Sequence, residues 1–248
     1  MTATRETFEE TGLLLASSTS ESKAPLSDEV LDTSRACIHS GKTLFGDFLR
    51  QHALAADVHA LLPFTEWITP RGSPRCVSTF THQQICLCLR PSPPNCLSPH
   101  SRFHTRFYIT FLPSRQAAAA GGFSSGMAQH RLPTPDGGNE VIEARFVHPQ
   151  DALAEHRARK IALMPPQHYI LTTLADILVG RETTSQQRER VTQLSASAFG
   201  RMVIHPQAGK KDANGRTPLV YEGDEARGGP RGRLHRSLVL FSPETKVR

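Results

Sequence analysis

The chain has 248 residues, enough for one large domain or two small ones. Its hydrophobic fraction of 38% can supply a core, and its formal net charge of +6 suits an anionic substrate, although it also suits loose nucleic-acid contact. No apolar run approaches roughly 20 residues, so no membrane span is expected, and the charged, acidic residues 1–10 do not read as a secretory leader.

The first element is the stretch from Arg5 to Leu13, R-E-T-F-E-E-T-G-L. Read as a helix, it places Glu6, Glu9 and Glu10 at i, i+3 and i+4, all toward one side. Gly12 supplies the exit that such a helix end often uses. Three carboxylates on one face repel unless a cation sits among them, and hard divalent ions such as Mg²⁺ take such all-oxygen sites, usually together with substrate phosphates. Arg5 is placed to neutralise or orient one carboxylate. The same pattern also suits a solvated acidic first turn favoured by the helix dipole.

Leu13 to Ala16 reads as a short buried strand, and Ser17 to Lys23 as a Ser/Thr loop. Residues 36–62 read as helical: Leu44, Phe45, Phe48 and Leu49 recur at helical spacing, as do Leu54, Val58, Leu61 and Leu62. Gly41 and Gly46 count against one unbroken helix there. His52 and His59 read as surface or packing residues. Phe64 to Thr69 is expected to be a strand ended by Pro70.

Residues 76–101 break the pattern. Cys76, Cys86, Cys88 and Cys96 are four of the chain's five cysteines, and the segment has no acidic residue. Their spacing lacks the paired C-x2-C of a zinc site, and without a secretory leader structural disulfides are not expected. A translated intron or unrelated insertion is the favoured explanation. Spliced transcripts that always encode 76–101 would sink that idea.

Phe103, Thr105, Phe107, Ile109 and Phe111 alternate with His104, Arg106, Tyr108 and Thr110, a strong strand signature. Residues 114–138 read as a loop. Asn139 to His148 reads as the next strand, carrying Glu140 and Glu143, and a helix starts at Pro149. Met164 to Leu171 opens another helix, with Tyr169, Ile170, Leu174, Ile177 and Leu178 as its apolar stripe. Residues 184–199 read as a more polar helix. In the tail, Met202 to His205, Pro218 to Tyr221 and Ser237 to Phe241 read as short strands. Arg227 to Arg233 (R-G-G-P-R-G-R) reads as a basic turn between the last two. It lacks the repeated aromatic or RGG pattern of an RNA-binding segment.

The opening stretch resembles the second half of the Nudix box, G-x5-E-x7-R-E-U-x-E-E-x-G-U, with U a bulky aliphatic. Arg5, Glu6, Glu9, Glu10, Gly12 and Leu13 match. Thr7 departs from the first aliphatic, and Phe8 is expected to do its packing. The box's leading Gly and first Glu, and the strands before it, would lie ahead of Met1. With W-I-T-P at 67–70, R-F-H-T-R-F-Y-I-T-F-L-P at 102–113 and I-A-L-M-P-P-Q-H-Y-I-L at 161–171, the chain resembles the Nudix subgroup of peroxisomal acyl-coenzyme A diphosphatases and their fungal relatives. That subgroup usually has R-F-D-T, and His104 stands here in place of the acid.

The resemblance implies an α+β fold, an α/β/α sandwich with a mixed sheet whose N-terminal strands are missing. Residues 1–180 would form the truncated hydrolase domain, and 181–248 a helix with short strands. It implies a Nudix pyrophosphohydrolase that uses Mg²⁺ or Mn²⁺ to cleave a small nucleotide substrate, first of all CoA or acyl-CoA, to 3′,5′-ADP and a phosphopantetheine. Glu6, Glu9 and Glu10 would hold metal, Arg5 would orient them, and one of those three glutamates (Glu9 among them) or Glu140 or Glu143 would act as base. ADP-ribose, NAD or a capped RNA end is the alternative substrate. An inactive remnant or binding protein is the rival class. Nucleic acid is otherwise not expected as a partner. The family is compatible with an intracellular, mitochondrial or peroxisomal setting and leaves the compartment open; Lys246-Val247-Arg248 is not a peroxisomal S-K-L signal.

Overall fold

In a computed structural model of the chain, the described residues are 1–19, 26–70, 104–112, 134, 147–180 and 182–240. They form an α+β arrangement with a mixed sheet. The cysteines Cys76, Cys86, Cys88 and Cys96, the loop expected over 114–138 apart from Thr134, and Glu140 and Glu143 on their expected strand lie outside these residues.

The N-terminal part begins with α1 (Thr2–Thr11), whose one fully buried aromatic is Phe8. Gly12 ends the helix at φ 72°, a left-handed conformation that costs glycine nothing, and its N–H donates to the Phe8 carbonyl at 2.9 Å. The expected strand at Leu13–Ala16 is shifted: Leu13, Leu14 and Leu15 are buried without strand pairing, and β1 spans Ala16–Ser18. Helix α2 (Asp28–His39) is capped by Ser27, whose hydroxyl accepts from the Val30 N–H, and α3 spans Phe45–Gln51. Phe8 packs between α2 and α3, stacked on Phe48 at 5.6 Å and tilted against Phe45 at 6.2 Å. The expectation that Phe8 does the packing is met, and Thr7 is buried beside it with its hydroxyl donating to the Ala3 carbonyl.

The reading of residues 36–62 as helical holds only in part. After α3 the chain turns at Ala53 (φ 52°), forms β2 (Leu54–Ala56), a 3₁₀ turn at Val58–Ala60 and then β3 (Leu62–Ile68). Antiparallel pairing of β2 with β1 overrides the helical spacing of Leu54, Val58, Leu61 and Leu62.

Strand β3 is central in a three-stranded mixed sheet. It pairs antiparallel with β4 (His104–Ile109) and parallel with β5 (Val203–Ile204). A bulge between Pro63 and Glu66 puts Thr65 at φ 73°, a conformation rarely adopted by a β-branched residue. Helices α4 (Pro149–Arg157), α5 (Pro165–Ala175) and α6 (Ser185–Ala196) follow where the sequence predicts them. Gly200, after α6, has room for no side chain, because a Cβ there would lie 1.8 Å from the Ser195 carbonyl oxygen. That close turn lets the Ser195 hydroxyl reach the Pro63 carbonyl at 2.7 Å and the Gly200 carbonyl face the Thr65 N–H.

The main core joins Phe64 and Trp67 of β3, Phe107 and Ile109 of β4, Ile170 and Leu174 of α5, Val191 of α6 and Tyr221, so it draws residues from both sides of residue 180. Each such buried side chain contributes about 1.5–3 kcal/mol. The tail adds β6 (Gln207–Ala208), β7 (Thr217–Val220) and β8 (Arg236–Val239) in an antiparallel sheet. Among the described residues no helix is long and apolar enough to cross a membrane.

Candidate functional site

Helix α1 brings four of the singled-out residues together. Glu6, Glu9 and Glu10 share one face as their spacing requires, and they are only 8%, 7% and 7% exposed. Charged side chains are rarely buried to this degree unless paired. Arg5 supplies part of that pairing. Its Nη1 donates to both oxygens of Glu9, at 2.8 and 2.6 Å, and its Nη2 donates to Glu6. Arg5 is thus the bridge between two carboxylates one turn apart.

The donor chemistry of this face, carboxylate oxygens alone, is that of a hard divalent cation. Two of these side chains, Glu6 and Glu9, are nevertheless held by Arg5. Among the described residues no group of three or more His, Cys, Asp or Glu side chains is set to hold a metal ion.

Two residues that sequence reasoning missed hold this helix from outside. Arg35 of α2 is only 8% exposed, and its Nε donates to the main-chain carbonyl of Glu9 at 2.8 Å. Its Nη1 donates to the Thr134 hydroxyl at 2.8 Å and its Nη2 to the Thr134 carbonyl at 3.0 Å. The Thr134 N–H donates in turn to the Thr11 carbonyl at 2.9 Å. A signal for Arg35 exists in the sequence. The buried residues of α2 are Leu31, Arg35 and Ile38, so a cation occupies the i+4 position of an otherwise apolar stripe. Nothing local marks Thr134, which lies 99 residues away from Arg35 in the chain.

Three other polar constellations lie away from α1. His104, which stands where the resembled subgroup has an acid, meets one oxygen of Glu66 at 2.7 Å, while Arg106 Nε donates to the other at 2.9 Å. On the turn between β7 and β8, Asp224 is fully buried and receives Arg236 through two bonds, at 2.8 and 2.6 Å. That guanidinium holds the Asp224 carboxyl down at about 2. Arg227 of the basic stretch donates to Glu222 at 2.9 Å and to the His205 carbonyl at 2.8 Å, so it braces the turn from within. Beneath it, burial pushes the Tyr221 hydroxyl up to about 12, and that hydroxyl donates to Ser237 at 2.5 Å. Between α4 and α5, the rings of His156 and His168 lie 5.4 Å apart. Burial, His156 and Arg157 together lower the His168 pKa.

No protein-family model, no curated protein and no solved structure matches this chain.

Proposed function

We propose that the chain is a divalent-metal-dependent pyrophosphohydrolase of the Nudix type, built as a Nudix α/β/α sandwich and acting on CoA or acyl-CoA. The observation that carries this reading is the face of α1: three glutamates at i, i+3 and i+4, each under a tenth exposed, with Arg5 bridging two of them. The left-handed Gly12 closes the helix where the family pattern puts its glycine. When bound, Mg²⁺ or Mn²⁺ would neutralise charge on the pyrophosphate and polarise a water.

The chain's own residues do the rest. Glu6, Glu9 and Glu10 supply the oxygen ligands. Arg5 sets the rotamers of Glu6 and Glu9 by holding both, and a fixed guanidinium also favours the anionic substrate. A carboxylate, Glu9 or one of Glu140 and Glu143, takes the proton from the attacking water. Cleavage breaks the bridging P–O bond and leaves 3′,5′-ADP and (acyl-)phosphopantetheine. ADP-ribose, NAD and capped RNA ends are the competing substrates, and a panel of pyrophosphates separates them.

The test is Mg²⁺- or Mn²⁺-dependent hydrolysis of acyl-CoA by the chain beside a Glu9→Gln/Glu10→Gln double variant. Turnover that needs both the metal and the glutamates supports the proposal. A folded chain with no turnover on any pyrophosphate sinks it. It would favour a second reading, a binding protein without catalysis. That reading draws on the engagement of Glu6 and Glu9 by Arg5 and on the lack of a converged ligand set among the described residues.

A further inference from the structure

We infer that Arg35 is a positioning residue for the carboxylate face of α1, acting through the carbonyls at the helix's C-terminal end; the inference rests on reading that face as a metal site. The last four carbonyls of a helix have no partner within it. In α1 these belong to Phe8, Glu9, Glu10 and Thr11. The Phe8 carbonyl accepts from the Gly12 N–H at 2.9 Å, the Glu9 carbonyl from Arg35 Nε at 2.8 Å and the Thr11 carbonyl from the Thr134 N–H at 2.9 Å. Arg35 then binds both the hydroxyl and the carbonyl of Thr134. Arg35 and Thr134 therefore form one clasp over the end of the helix.

The clasp acts on the part of α1 that matters. Helix ends fray and open at low free-energy cost, and Glu9 and Glu10 lie in the last turn, whereas Glu6 lies a turn earlier. An opening of that turn would move two of the three carboxylates relative to the third. Glu9 is instead fixed at both ends, by Arg5 at its carboxylate and by Arg35 at its carbonyl. The last turn of α1 has no basic residue of its own. The positive charge that its dipole favours there comes from α2. Only a guanidinium can make this contact, because Nε and both terminal nitrogens serve acceptors on two residues, which the single ammonium of lysine cannot reproduce.

The experiment uses the full chain with Mn²⁺ as probe, titrated by electron paramagnetic resonance of the free ion, together with amide exchange across residues 8–12. Arg35→Met keeps the aliphatic stem and removes the fork. It should weaken Mn²⁺ binding by roughly ten- to a hundred-fold, the usual effect of losing a partner behind a metal ligand, and speed exchange at Gly12. Arg35→Lys should recover part of that affinity. Thr134 is exposed, so Thr134→Val is expected to leave the fold intact, and it should show the same changes more weakly. A folded Arg35→Met chain with parental Mn²⁺ affinity overturns the inference. Should Arg35→Met not fold, parental affinity and exchange in Thr134→Val overturn it. Should the parent bind no Mn²⁺, the metal reading of α1 falls by itself. The clasp is then judged by exchange alone, faster in Arg35→Met if it stands and unchanged if it does not.

Discussion

Asp224 on the β7–β8 turn and Glu9 in α1 are both buried carboxylates held by an arginine, but their surroundings differ. Each oxygen of Asp224 receives its own nitrogen from Arg236, and Oδ1 also accepts the Ala226 N–H at 2.9 Å. One acid meets one base in a fork, and the pair closes a loop whose Gly228 and Gly232 take left-handed turns. In α1, by contrast, three carboxylates stand on one helix face and a single guanidinium of that helix, Arg5, is divided between two of them. Like charges at i+3 and i+4 cost a helix stability. Within the helix that spacing is a cost, whereas the Asp224 fork holds its loop shut. The contrast supports reading Asp224 as structural and the α1 face as a place for a ligand cation.

The largest effect that would test this contrast comes from neither set of charges. Phe8 is fully buried against Phe45 and Phe48 on the other side of α1. Phe8→Ala should cost about 3–5 kcal/mol in urea unfolding, as large-to-small core changes do. A cost under about 1 kcal/mol would mean that α1 is held by its charged face, and the contrast would fail.

The next test crosses the two sets. Asp224→Asn leaves the Arg236 guanidinium facing a neutral amide, and should lower Tm by about 10 °C at neutral pH while Mn²⁺ binding stays at the parental level. Glu9→Gln/Glu10→Gln should abolish Mn²⁺ binding instead. The pH dependence fixes the sign for Asp224. Its carboxyl is held at about 2, below its ordinary 3.8. Its contribution to stability is therefore full above about 3.8 and is lost as the pH falls from there through about 2. The Tm gap between parent and Asp224→Asn should close over that window. A gap that persists at pH 2 would show that shape, and not charge, accounts for it.

How much of this was legible depended on the range of the interaction. The α1 face is local, so i, i+3, i+4 spacing and the closing glycine placed Glu6, Glu9, Glu10, Arg5 and Gly12 directly. Alternation marked β4, where Phe107 and Ile109 are buried and His104 is exposed. The stretch from Leu54 to Leu62 misled because its apolar spacing fits a helix, while its conformation is set by β1, which lies some forty residues earlier in the chain. Thr65 was invisible for a related reason. A β-branched residue predicts extended backbone, and only the parallel strand β5 and the turn at Gly200 impose the bulge. Arg35 was half legible, as a cation in an apolar stripe, but its acceptors on Glu9 and Thr134 exist only in three dimensions.

The smallest expected effect separates acid sensitivity in the two regions from a third. His168, at the start of α5, faces His156 near the end of α4, with Arg157 close by, and its pKa is lowered from 6.5 by burial first and by those two neighbours after it. A lowered histidine takes up its proton less readily folded than unfolded, so the unfolded chain binds more protons between the two values. Stability is then full above about 6.5 and declines as the pH falls below it. His168 is half-buried, and solvent screening keeps the fall in Tm between pH 7.5 and 5.5 smaller than the Asp224 effect. His168→Gln should flatten that slope without changing the acid transition near pH 3 to which Asp224 is expected to contribute. An unchanged slope in His168→Gln would move the sensitivity to other groups. A changed transition near pH 3 would instead mean that the α4–α5 contact and the β7–β8 turn are coupled through the core they share at Tyr169 and Tyr221.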